Sequence, residues 1–342
     1  MTDRGAPLLT VVLPSRDLVG DAAASLIARC HALVASGLDV ELLVVDDRSP
    51  VAREGAEAEP FRAWIRETAA AGSRVRLVVG DGVGVAAARN RGAGAARGRY
   101  LWFVDDDDDW GPDGAATLLD AALAHDADVV MADAVLVRHG RVGRAQVVAD
   151  GRGAGEASGA RVVEDLVAGR VSGHLWNKLL RRDLVVAAGF PDLLRHSDLA
   201  GLLRLLPAAG RVVRVPTPVY TYRVRDGSLL TGDRMRWRDL PDCLDLAREV
   251  GPAPAVEVFA VVKVAVPLFQ DVARRGTSLP PSEAAEARAW VRAALTPRRI
   301  VATLRSGRPV AALGALVMRA APRVYAGVYR RRRAGSVRPG RG

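Results

Sequence analysis

Five consecutive aspartates, Asp105 to Asp109, follow directly on the apolar run Tyr100-Leu101-Trp102-Phe103-Val104. Adjacent carboxylates repel one another and lose hydration when buried, so such a cluster needs a cation or full exposure. A short apolar run of this kind reads as a buried strand. In open α/β sheets the carboxyl ends of the strands are where ligands bind. If the run stays extended, Asp105, Asp107 and Asp109 share one face, and Asp106 and Asp108 the other. Asp105 and Asp107 then form an Asp-x-Asp pair able to reach one Mg²⁺ or Mn²⁺ and a phosphate-bearing ligand. A solvated acidic loop is the bland alternative.

The surroundings favour the strand end. Over the first 135 residues strand and helix patterns alternate, which predicts an α/β fold built on a mostly parallel sheet flanked by helices. Leu9 to Leu13, Glu41 to Val45, Val75 to Val79, Tyr100 to Val104 and Asp128 to Met131 read as strands. Between them run helical patterns such as Leu26, Ile27, Cys30, Leu33 and Val34. Residues 150 to 159, rich in Gly and Ala, read as a mobile loop. From about residue 235 the pattern is mainly helical, and Pro280-Pro281-Ser282 marks a helix start with Ser282 at the N-cap. The predicted organisation is a domain over 1–232, with halves 1–135 and 136–232, and a helical extension over 233–342.

Two cysteines, Cys30 and Cys243, are too few for a disulfide framework or a thiolate metal site, which fits a reducing, cytoplasmic setting. Neither a signal peptide nor a transmembrane helix is expected. The net charge of +10 belongs to the tail: residues 298 to 342 hold 12 arginines and no Asp or Glu. The other 297 residues carry 37 basic and 39 acidic side chains. With a slightly acidic body and few aromatics, no nucleic-acid partner is expected. On a continuous helix, Arg305, Arg308, Arg319, Arg323 and Arg330 would form a stripe opposite Val310, Leu313, Val317, Val324, Tyr325 and Val328. Such a segment, over 305–333, suits an anionic membrane surface, although Pro309 and Pro322 would interrupt the helix.

Three strand ends carry polar clusters: Asp46-Asp47-x-Ser49, Gly84 through Arg89-Asn90-x-Gly92, and the Asp105 run. With Thr10-Val-Val-Leu-Pro14 before them and Ala96-Arg-Gly-Arg-Tyr100 leading into the aspartates, this order resembles the family 2 glycosyltransferases of GT-A fold. Two later segments extend the resemblance to about residue 231. They are Trp176-Asn177-Lys178-Leu179, similar to the family's WxKLY element, and Tyr220-Thr221-Tyr222-Arg223 followed by Ser228, similar to YxYRxxxxS.

The resemblance implies a GT-A (Rossmann-like) sheet and a metal-dependent, inverting transfer of sugar from a nucleotide-sugar, a UDP-sugar by family habit, to a hydroxyl. Asp46 and Asp47 would hold the nucleotide, with Arg89 and Asn90 orienting it or bonding the acidic loop. Asp105 would meet ribose or metal, and Asp107 the Mn²⁺ or Mg²⁺ bridging the diphosphate. The five-Asp run leaves Asp106 and Asp108 as substitutes. Asp198 falls at the family's catalytic base, with Ser197 where a Glu is usual and His196 as a competing base. Trp176 is a candidate acceptor-sugar platform, and Arg223 could reach the diphosphate. A saccharide or lipid-linked acceptor, in cell-surface polysaccharide or glycolipid synthesis at the inner face of the membrane, would follow. Ser197 and the basic tail keep a non-catalytic nucleotide-binding or scaffolding protein as the alternative. A sugar-1-phosphate nucleotidyltransferase would need a Gly-rich loop after the first strand, where this chain has Pro14-Ser15-Arg16-Asp17-Leu18.

Overall fold

A computed structural model describes residues 5–15, 20–47, 59–80, 82–138, 146–148, 150, 154–224, 235–275 and 279–336. The chain divides into two compact units, Met1–Val163 with Arg170–Ser228, and Glu164–Gly169 with Leu229–Gly342.

The first unit is organised by a mixed sheet. Strands β1 (Leu9–Ser15), β2 (Val40–Asp46), β3 (Val75–Val79) and β4 (Tyr100–Phe103) run parallel in the order β3-β2-β1-β4. β5 (Val129–Arg138), β6 (Gln146–Val148), β7 (Gly155–Ala157), β8 (Lys178–Arg181) and β9 (Val212–Val224) complete it. β8 lies antiparallel between β4 and β5, and β9 runs parallel to β5. The β1 and β2 residues are buried throughout, as a strand covered on both faces requires. That burial explains why these strands read as continuous apolar runs with no alternation.

The parallel register sets the site. Ser15 pairs with Asp46 and Asp46 with Val79, while the Val104 amide bonds the Val12 carbonyl at 3.1 Å. The carboxyl ends of the four strands therefore finish along one edge. At the opposite end of β4 close contact restricts the chain. A Cβ on Gly98 would lie 2.5 Å from the Thr10 amide nitrogen, so only glycine fits the approach to this strand.

Two local expectations are corrected. Residues 150 to 159 are not simply a loop: Asp150 is fully buried, Gly155–Ala157 is an edge strand on β9, and a helix begins at Gly159. At Gly159 close packing excludes a larger residue, since a Cβ there would meet the Leu206 carbonyl, while residues 151–153 lie outside the described residues. Likewise Ser282 is not an N-cap, because helix Pro281–Ala294 begins one residue before it.

The second unit is helical. The tail is not one continuous helix, because Pro309 and Pro322 each start a new one, Pro309–Ala320 and Pro322–Ser336. A proline lacks the amide that would continue the preceding helix but suits a first turn. The single arginine stripe drawn on an unbroken helix therefore does not exist. Helix Pro309–Ala320 instead turns Ala312, Ala315 and Met318 inward and leaves Val310, Leu313 and Leu316 exposed. None of the helices among the described residues is long and apolar enough to cross a membrane.

Candidate active site

At the end of β2 the two aspartates already have protein partners. Asp46 is buried, and its Oδ2 lies 2.9 Å from Arg62 Nη2. Asp47 accepts from the amides of Gly82 and Gly84, each at 3.0 Å. Gly84 has φ 122°, a conformation that favours glycine, and it opens the helix Val85–Ala95. Asp47 thus ties the glycine turn to the strand edge and fixes where that helix starts. Ser49 lies outside the described residues.

Helix Val85–Ala95 carries Arg89 and Asn90 toward different tasks. Arg89 is largely buried, with Nη2 3.5 Å from Asp105 Oδ1 and Nη1 3.3 Å from Ser197 Oγ. Asn90 donates to the Phe190 carbonyl at 2.8 Å and accepts from the Phe190 amide at 2.7 Å. Its amide is a structural clasp on the segment leading to Asp198.

The acidic run does not stay extended. Asp106 and Asp107 form a turn, which removes the simple alternation of faces. Ser15 Oγ donates to Asp106, and Arg29 Nη2 donates to the Asp106 carbonyl at 2.9 Å. Asp108 accepts from the Tyr220 hydroxyl and from the Arg223 amide, both at 2.8 Å. Asp109 exchanges backbone hydrogen bonds with Thr221 and pairs through its carboxylate with Arg223, Nε at 2.6 Å. The second half of the run is therefore fastened to β9. Burial and the nearby Asp105 charge push the Asp108 carboxyl up to about 8.

Asp105 is partly exposed. Desolvation raises its pKa; Asp107 and Asp198 add to the rise, while Arg89 and His174 oppose it. Three carboxylates in one electrostatic neighbourhood are what a cation would relieve. Among the described residues no group of three or more His, Cys, Asp or Glu is arranged to hold a metal. Mg²⁺ or Mn²⁺ is however commonly held by one or two carboxylates plus substrate phosphates, and Asp105 with Asp107 fits that donor set.

Asp198 lies in the first turn of helix Ser197–Leu205, just after His196 in the left-handed conformation with φ 63°. Burial pulls its pKa up, but the hydrogen bond and charge of His174, then Arg89 and His196, outweigh this. The carboxyl is held well below the usual carboxylate range. Asp198 Oδ2 stands 3.5 Å from His174 Nδ1. His174 was missing from the sequence-based set. Its signal was the spacing His174-x-Trp176, which in extended chain puts both rings on one side.

Trp176 does not offer an open platform. Its ring is stacked on His174 at 4.7 Å and on Tyr220 at 5.1 Å, and the residue is only 5% exposed. Arg223, proposed for the diphosphate, is engaged with Asp109, and Ser228 lies outside the described residues.

Comparison with known proteins gives this geometry its context. Residues 11–156 match the family model described as glycosyl transferase family 2. TarS 1-349 of S. aureus, solved with UDP-GlcNAc, superposes with a TM-score of 0.59 at 17% identity, over 96% of this chain and 92% of that one. The mannosyltransferase PcManGT from Pyrobaculum calidifontis, solved with GDP-Man and Mn²⁺, gives 0.51 at 15% identity, over 93% and 88%. Both likenesses concern the fold. No curated protein matches the sequence. The motif order, the strand-end geometry and the family match over residues 11–156 converge: that segment matches glycosyl transferase family 2, and the chain is a glycosyltransferase of GT-A fold.

Proposed function

We propose that the enzyme moves a sugar from a UDP-sugar to an acceptor hydroxyl with inversion at the anomeric carbon. The observation that carries this reading is the placement of Asp105 and Asp198 around Arg89, one carboxylate at the strand mouth and one on the facing helix. Inversion in a single displacement needs a base on the side opposite the departing diphosphate. Asp198 is ionised and takes the acceptor proton as the new C–O bond forms. Asp105 and Asp107 would hold Mn²⁺ or Mg²⁺, which when bound would supply Lewis-acid neutralisation of charge on the leaving diphosphate. Asp46, Asp47 and Asn90 shape the nucleotide end through the turn and the clasp they secure. Arg89 offsets the carboxylates, and Ser197 gives it a neutral acceptor where a Glu would give a second anion.

The test is a panel of UDP- and GDP-sugars with and without Mn²⁺, read as nucleoside diphosphate release and as thermal stabilisation. A donor at 100 times its Kd stabilises by about 2.7 kcal/mol. Metal-dependent stabilisation by one UDP-sugar, with UDP released when acceptor is added, is expected. Stabilisation by no UDP-sugar, or release that ignores Mn²⁺ and chelator alike, removes the donor and metal assignments.

The acceptor we place at an anionic membrane, as a saccharide or lipid-linked chain of cell-surface polysaccharide or glycolipid. Val310, Leu313 and Leu316 face outward, with Val324 and Val328 exposed on the next helix. Arg305, at the end of helix Pro297–Arg305, and Arg323, Arg330 and Arg331, on helix Pro322–Ser336, are also exposed. Large apolar side chains outside and alanines inside invert the usual pattern, and exposed arginines supply the charge that anionic lipid complements. Cosedimentation should show binding to phosphatidylglycerol-rich vesicles and little to phosphatidylcholine. Leu313→Gln with Leu316→Gln should weaken it about tenfold, while turnover on a soluble acceptor is retained. Equal binding to both lipids, or a dimer that buries these residues, overturns the placement.

A further inference from the structure

The side chain that the catalytic reading leaves unused is His174. Its ring lies parallel to Trp176, 15° between planes, and Trp176 is itself 9° from Tyr220 and 11° from Tyr222. The pile is pinned at two further points. Trp102 Nε1 donates to the Trp176 carbonyl at 2.7 Å, and the Tyr220 hydroxyl accepts from the Asp105 amide at 3.0 Å while donating to Asp108. The aromatic stack that orients His174 therefore also fixes the backbone of the acidic run. One stack thus touches both His174 and the backbone of the acidic run.

From this geometry we infer that His174 is a positioning residue: its Nδ1 edge, fixed by stacking on Trp176, holds the Asp198 carboxylate in the direction from which the acceptor hydroxyl is deprotonated. The inference rests on Asp198 being the base. The approach of 3.5 Å is long for a hydrogen bond. Such contacts commonly tighten when substrate closes the site. Arg89 and His196 add charge near Asp198. The direction of the His174 edge is set by its stacking on Trp176 and Tyr222.

Two substitutions separate the edge from the ring. His174→Phe keeps a flat ring on Trp176 and removes the donor; His174→Asn loses the ring and places an amide nitrogen near the position of Nδ1. His174 is 40% exposed, so neither leaves a closed void. His174→Phe should lower kcat about 10- to 100-fold, with donor KM within about twofold and an unchanged Tm, the scale on which misplacing a reacting group acts. His174→Asn should stay within about threefold of the parent kcat. Wild-type kcat in His174→Phe, the reverse order of the two variants, or an equal loss in both overturns the proposal. Asp198→Asn is assayed alongside. If it is inactive while His174→Phe turns over normally, only the positioning role fails; if it too is active, the base assignment fails and the positioning role with it.

Discussion

Asp198→Asn lowers the rate of sugar transfer by about 10²- to 10⁴-fold while donor-induced stabilisation stays at its parent value and the fold, at a somewhat lower Tm, is kept. The magnitude is that of a lost general base, roughly 2.7–5.5 kcal/mol of transition-state stabilisation. Asparagine keeps the shape and an oxygen that can still accept from His174, so the helix start is undisturbed. What it loses is the capacity to receive the acceptor proton. The depressed pKa has a consequence for pH. A carboxylate whose folded pKa lies below its unfolded value stays ionised throughout the neutral range, so Asp198 itself places no acid limb near pH 6. A carboxylate held so low is a weak base in the resting enzyme. It suffices because the acceptor hydroxyl becomes acidic only as its oxygen bonds to the anomeric carbon. Diphosphate release under saturating donor and acceptor measures the effect. Parent-level turnover in Asp198→Asn would end the assignment, and His196, two residues earlier, would be the next base to test.

How much of this was legible in the sequence depends on the range of the interactions. The parallel half was readable because β1 to β4 are each a local apolar run, and the polar residues at their ends follow in the same few positions. Asp46 and Asp105 were found for that reason, whereas Asp198 came only from the resemblance. Their partners were not, because these come from far along the chain. Phe190 occupies Asn90, Tyr220 and the Arg223 amide occupy Asp108, and Ser15 bonds Asp106. Five identical side chains carry no local mark of which will be fastened to β9 and which will face ligand. The turn at Asp106-Asp107 is followed by the bridge of Asp109 to Thr221, which no period in the run announces. Trp176 was visible as a large aromatic in a motif. Whether its faces are covered depends on His174 and Tyr220, 44 residues apart in number from Trp176 at the farther end. The helix breaks at Pro309 and Pro322 were legible in the sequence, because each proline lacks the amide that would continue the preceding helix.

The same long-range logic gives the second large effect. Lys178→Met should destabilise the unit holding it by about 3–5 kcal/mol, a fall in Tm of roughly 10 °C, because it strands a buried carboxylate. Lys178 Nζ pairs with Asp150, and both side chains are fully buried. Nζ also donates to Asn177 Oδ1 at 3.0 Å and Ser172 Oγ at 3.3 Å, and the Ser172 amide donates to Asp150 at 2.6 Å. In the parent, burial raises the Asp150 pKa but Lys178 and the Ser172 bonds outweigh it, leaving it lowered. Its contribution is thus fully present above the unfolded carboxylate pKa, near 3.9, and is lost as pH falls through the folded value. Without Lys178 the sign reverses: burial dominates, the folded pKa rises above the unfolded value, and stability is lost as pH climbs above about 3.9. The Tm gap between parent and Lys178→Met should therefore be widest at pH 7–8 and narrow toward pH 4. Asp150→Asn combined with Lys178→Met removes both charges and should recover most of the loss, since a neutral amide can still accept from the Ser172 amide. Calorimetry of the three proteins across that pH range decides it. A gap that is constant with pH, or a double variant no more stable than Lys178→Met, would mean that lost packing of the lysine stem, and not the stranded charge, sets the effect.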